Sequence, residues 1–197
     1  MVGTVCSSAR AYLEDLGALL ERIDCAAIDL LTETLVEVRR ADRQVIVFGN
    51  GGSAYTASHF VTDLVKTTSI DGERRLRAIS LVDNYGLITA VGNDIDYDQT
   101  FTYCIEAYAR PGDVAIAISA SGNSPNVINA CEWAKDHGIK LVCLTGFDGG
   151  RIGELADLHV NVPSQNYGLI EDVHLSIGHM ITQALKARVM AEALLHS

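Results

Sequence analysis

Tyr12, Leu13, Leu16, Leu19, Leu20 and Ile23 recur at three- and four-residue steps, and Ile28, Leu31, Leu35 and Val38 repeat the pattern. That period lines apolar side chains along one helix face, so two amphipathic helices, a hairpin within residues 1–41, open the chain. The pattern then changes. Short, nearly continuous apolar runs at 44–48, 79–82, 114–118, 140–144 and 158–162 alternate with helical stretches. Strands that are apolar on both faces belong to a sheet covered on both sides, which predicts an α/β fold with a five-stranded parallel sheet flanked by helices. Residues 170–195 read as one long closing helix. No fixed-period repeat and no Pro- or Ser-rich linker interrupts this plan, so residues 1–197 are expected to form a single domain. The opening hairpin either packs on the sheet or serves self-association.

In open parallel sheets ligands bind beyond the carboxyl ends of the strands. The first apolar run leads into Gly49-Asn50-Gly51-Gly52-Ser53-Ala54 and then a helix, which puts flexible backbone and free N–H groups at a positive helix end. The third leads into Ser119-Ala120-Ser121-Gly122-Asn123-Ser124, with Pro125 suited to a helix's first turn. Hydroxyls and amides there can surround one phosphate. Gly49-x-Gly51-x-x-Ala54 also fits a loose dinucleotide fingerprint. That reading wants an acid about 20 residues on, at the end of the second strand, and Asp83 lies far beyond.

Composition narrows the classes. With 25 acidic and 15 basic residues the net charge is −10, which opposes a sequence-independent grip on nucleic acid. The cysteines (Cys6, Cys25, Cys104, Cys131, Cys143) are odd in number and form no C-x-x-C pair, as expected in a reducing compartment. Arg10, Glu14 and Asp15 interrupt the start before any signal-peptide core forms. No run approaches the roughly 20 apolar residues of a membrane span. A soluble, cytoplasmic chain is expected.

The two loops, joined by Val91-Gly92-Asn93-Asp94 and Leu144-Thr145-Gly146-Phe147-Asp148-Gly149-Gly150, resemble the sugar isomerase (SIS) domain superfamily and, within it, the phosphoheptose isomerase family. The likeness runs from about residue 8 to the C-terminus. It implies a doubly wound, flavodoxin-like sheet, a phosphorylated sugar as substrate, a homotetramer with sites at subunit interfaces, and zinc or another divalent metal. By position it implies that Asn50, Gly51, Gly52, Ser53, Asn93, Asp94, Ser119, Ser121 and Ser124, with Asp63 and Glu171, hold the sugar phosphate. His59, Asp63, Glu171 and His179 fall at metal positions, and Asp63, Glu171 and His179 at catalytic ones. This chain departs from the pattern in three places. Asp63 replaces a glutamate, Glu171 replaces a glutamine, and Ala120 stands at the centre of a Ser-Thr-Ser loop.

Read on their own, His59 and Asp63 are four apart on the helix after the first loop and share a face. Glu171 and His179 are harder to combine, because eight helical residues separate backbones by roughly 12 Å. Either Glu171 lies in a turn before the regular helix, or it pairs with His174. A Glu-x-x-His pair also belongs to di-iron bundles, but those need two. His137, His159 and His196 read as surface or capping residues, and Trp133 and Tyr97 as packing in or against the core.

Moving a carbonyl between adjacent carbons needs a base for the carbon-bound proton and an acid at oxygen. Asp63 or Glu171 is the candidate base and His179 the candidate acid, with the metal ordering the pair or polarising the carbonyl. Two alternatives stand beside this: a non-catalytic SIS-type protein that binds a phosphosugar or an initiator protein, and an isomerase acting on a different sugar phosphate.

Overall fold

The opening helices are α1 (Ala9–Leu20) and α2 (Cys25–Arg40) in the computed structural model, which describes residues 5–196. Each starts on a short polar side chain that satisfies an otherwise orphaned N–H: Ser8 accepts from Ala11, and Asp24 from Ala27. Arg39 near the end of α2 is buried and donates to Glu73, Glu192 and the carbonyl of Arg74. The hairpin is thereby fixed to the body of the fold.

The apolar runs form β1 (Gln44–Gly49), β2 (Arg77–Ser80), β3 (Val114–Ser119), β4 (Lys140–Thr145) and β5 (Leu158–Asn161), all parallel, in the order β2-β1-β3-β4-β5. Four begin within a residue of the expected position. The second lies two residues earlier, because the apolar Leu81 and Val82 belong to a 3-10 turn (Leu81–Asp83) that leaves the sheet. Alternation along the strands divides the core. Val47, Ile116, Ile118 and Leu144 face one cluster, and Ile46, Phe48, Ala117 and Cys143 the other.

The remaining helices are α3 (Gly52–Thr62), α4 (Tyr85–Asp94), α5 (Thr100–Tyr108), α6 (Pro125–Asp136), α7 (Gly150–Leu155) and α8 (Tyr167–His196). With α2, α3 and α8 on one side of the sheet and α5, α6 and α7 on the other, the architecture is the three-layered, doubly wound α/β fold expected. The 30 residues of α8 span about 45 Å. Its stripe of Ile170, Val173, Ile177, Ile181, Leu185 and Val189 is fully buried. No helix among the described residues is long and apolar enough to cross a membrane.

The strand order places the switch of direction at β1. The chain leaves β1 toward β2 on one side, and β3 lies on the other, so the loops after β1 and β3 part and open a crevice.

Candidate active site

Gly51, at φ +55°, turns the chain from β1 into α3 in a backbone conformation that favours glycine. A Cβ on Gly49 would strike the carbonyl of Ile118, and one on Gly52 the carboxylate of Glu171. Glycine therefore lets the loop lie close to β3 and α8. Neither α3 nor α6 carries a side-chain cap; Ala54 and Val127 N–H turn back to the carbonyls of Gly51 and Ser124, and the N–H groups of Gly52, Ser53 and Asn126 have no hydrogen bond among the described residues and are open to an anion. A cavity of about 230 Å³ lies between them, lined by Asn50, Gly51, Gly52, Ser53, Ser119, Ser121, Ser124, Tyr167 and Glu171.

The serine loop is held from outside by the segment after β4. Gly146 N–H donates to the Ala120 carbonyl (2.8 Å), Ile152 N–H to Gly122 (3.0 Å) and Arg151 N–H to Asn123 Oδ1 (3.0 Å). A Cβ on Gly122 would strike Gly149, and one on Gly150 would strike Ser121. Thr145 anchors this clamp. Its hydroxyl donates to Asn161 Oδ1 (2.9 Å) and accepts from His159 Nε2 (2.6 Å), while its carbonyl accepts from His174 Nε2 (3.0 Å). Burial pushes His174 down to about 4, and its Nδ1 has no hydrogen-bond partner among the described residues. It is a neutral donor there.

About two turns along α3 from the cradle, three side chains meet. His59 Nε2 lies 3.2 Å from His179 Nε2, and Asp63 Oδ2 lies 3.5 Å from His59 and 3.6 Å from His179. These atoms form a group able to hold a metal ion. Asp63 opens a π-helical turn (Asp63–Thr67), a distortion often found at functional positions. Thr67 donates to its Oδ1 (3.0 Å), leaving Oδ2 for the imidazoles.

Of the four residues expected together, His59, Asp63 and His179 meet and Glu171 stays with the cradle. Neither way of resolving its spacing applies, since Glu171 is inside regular α8 and His174 points inward to β4. Asn93 and Asp94, at the end of α4, lie outside the cradle lining, with the Asn93 amide donating to Asp94. Tyr97 is not a core residue. It is 56% exposed, and its hydroxyl donates to Asn50 Oδ1 (3.0 Å), which also accepts from Asn126 Nδ2 (3.0 Å). Asn126 and Tyr167 had no signal in the sequence pattern; the Pro125 helix start came nearest to marking Asn126.

Glycine- and serine-rich loops over a 2-1-3-4-5 parallel sheet, with an imidazole and carboxylate cluster beside them, are the architecture of an α/β domain of the sugar isomerase type. The SIS domain family matches residues 11–146. The phosphoheptose isomerase of Geobacter sp. (strain M21) is 39% identical over 181 residues, covering 92% of this chain and 93% of that protein. That of Aliarcobacter butzleri (strain RM4018) is 37% identical, covering 94% and 97%. The solved phosphoheptose isomerase from Neisseria gonorrhoeae superposes with a TM-score of 0.84 at 29% identity, covering 90% of this chain and 96% of that one. The chain belongs to the SIS domain family and, within it, to the phosphoheptose isomerases.

Proposed function

We propose that this chain is an aldose–ketose isomerase that interconverts D-sedoheptulose 7-phosphate and D-glycero-D-manno-heptose 7-phosphate. The observation that carries the reading is that α3 and α8 each bring a residue to both places: Gly52 and Glu171 to the cradle, and His59 and His179, with Asp63 just beyond α3, to the cluster further along. Seven residues on α3 and eight on α8 separate the two places, a rise of about 10 to 12 Å. An extended seven-carbon chain with its phosphate reaches roughly 10 Å at ordinary bond lengths. A phosphate held at Gly52 and Ser121 thus leaves the first two carbons near Asp63.

In this reading the Asp63 carboxylate removes the proton from C1 of the ketose and returns it to C2, while His179 gives a proton to O2 and takes one back from the O1 hydroxyl. Glu171 orients the sugar near its phosphate end. His59, Asp63 and His179 would hold the metal, which supplies polarisation of the carbonyl when bound. Zinc suits them, because a tetrahedron with bonds of about 2.0–2.1 Å has edges of about 3.3–3.4 Å, and the three ligand atoms are 3.2, 3.5 and 3.6 Å apart. Their exposed side leaves a position open for substrate.

We assign the enzyme to the cytoplasm as a homotetramer built on α1, α2 and α8, whose outer faces expose Leu13, Leu30, Met190 and Leu195. The test is proton NMR of a panel of ketose phosphates with the enzyme, with and without zinc. Turnover confined to the seven-carbon substrate is expected. Binding of phosphosugars without turnover under either condition would overturn the isomerase assignment in favour of a binding protein, and preference for a shorter sugar would overturn the substrate.

A further inference from the structure

A second cavity, of about 430 Å³, lies on the other side of Asn50 and Gly51 from the serine loop, over the ends of β1 and β2. Its volume is ordinary for a small-molecule site, and of its wall the proposed isomerase reaction uses only the Asn50–Gly51 turn shared with the cradle. Three tyrosines from separate segments line it: Tyr55 from α3, Tyr85 from α4, and Tyr97. Tyr55 and Tyr85 are 82% and 75% exposed, so the fold gains little from burying either ring. Asp83 lines the same cavity just beyond β2; its Oδ1 accepts from Ser58 (2.6 Å), and its other oxygen has no hydrogen bond among the described residues. No lysine, arginine or histidine contributes to the wall.

This arrangement restores the nucleotide reading that spacing alone disfavoured. The fingerprint needs a glycine loop after the first strand and an acid at the end of the neighbouring strand, close in space. Asp83 is distant in sequence because the π-helical turn and the segment up to Arg77 lengthen the path from α3 to β2. In space it shares a cavity with Gly49, Gly51 and Ala54. We infer that this cavity binds the nucleoside of a nucleoside 5′-monophosphate, with its ribose hydroxyls on Asp83, its base against Tyr55 and Tyr85, and its phosphate on the Gly49–Ala54 loop. One phosphate is the limit, since the wall offers no positive charge for a second. The inference rests on the cradle being a phosphate site, and it makes such a nucleotide a competitor of the sugar phosphate.

Calorimetry on the full chain tests it with AMP, GMP, CMP and UMP against ribose 5-phosphate and inorganic phosphate. At least one nucleotide is expected to bind about tenfold or more tightly than ribose 5-phosphate, as stacking of one base on an aromatic wall provides. Tyr55→Ala with Tyr85→Ala should remove that advantage while ribose 5-phosphate still binds, and Asp83→Asn should equalise the ribo- and 2′-deoxynucleotide. Four nucleotides no tighter than ribose 5-phosphate, or an advantage that survives loss of both tyrosines, would overturn the nucleotide site alone. If neither inorganic phosphate nor ribose 5-phosphate binds, the cradle itself is wrong and this inference falls with it.

Discussion

Asp63 is one methylene shorter than the glutamate implied by the family pattern, and displacements near 1 Å can cost roughly a hundredfold in rate. In this chain the shorter carboxylate still reaches both imidazoles, because it stands at the start of the π-helical turn and Thr67 fixes its other oxygen. The side chain and the local backbone thus form one solution. Asp63→Asn preserves shape and removes the basic oxygen, so turnover should fall by about 10²-fold or more while phosphosugar affinity, measured by calorimetry, is retained. Asp63→Glu should also lose turnover, since the longer arm is driven past the imidazoles. Wild-type turnover in Asp63→Asn would remove this residue as the base.

At the scale of elements, α8 carries Glu171 at the cradle, His174 against β4 and His179 at the triad, so its seating sets the whole site. His174 makes that seating sensitive to acid. Burial holds its folded value at about 4, whereas the unfolded chain takes up the proton near 6.5. The stability it allows is full above pH 6.5 and is lost as pH falls from there toward 4, at roughly 1 kcal/mol per pH unit. His174→Gln keeps a donor for the Thr145 carbonyl and removes the titration. Urea midpoints between pH 7 and 5 should therefore fall less steeply in the variant; equal slopes would place the acid sensitivity elsewhere. The strands and α8 were legible in the sequence because burial on both faces writes continuous apolar runs, and burial on one face writes a helical stripe. The glycine positions of the loops were legible because close packing against β3, α8 and the segment after β4 leaves no room for a Cβ. The division of labour between Glu171 and the triad was not, since helical phase says which residues share a face but not which neighbour meets each turn. Tyr97 failed for a related reason: an aromatic ring reads as core, and only its tertiary contact with Asn50 gives it another place.

The whole molecule leaves its chemistry half open. His59 and His179 are 48% and 45% exposed, and a proton transfer at carbon benefits when water is excluded. Among the described residues no further element covers them, while Leu13, Leu30 and Met190 lie exposed on the helical layer that includes α8. Apolar helix faces of this kind are commonly covered by a second copy, in closed symmetric assemblies. Association of α1, α2 and α8 with their counterparts would cover those residues and bring a neighbouring surface toward the triad. Light scattering at micromolar concentration should accordingly give four times the chain mass of 21.2 kDa. Leu13→Arg with Leu30→Arg should lower that mass without changing the helical circular dichroism, and turnover should drop with it, by about tenfold or more if closure contributes as positioning and desolvation do elsewhere. A wild-type monomer would remove the tetramer. Full turnover in a monomeric variant would show that one chain encloses its substrate unaided.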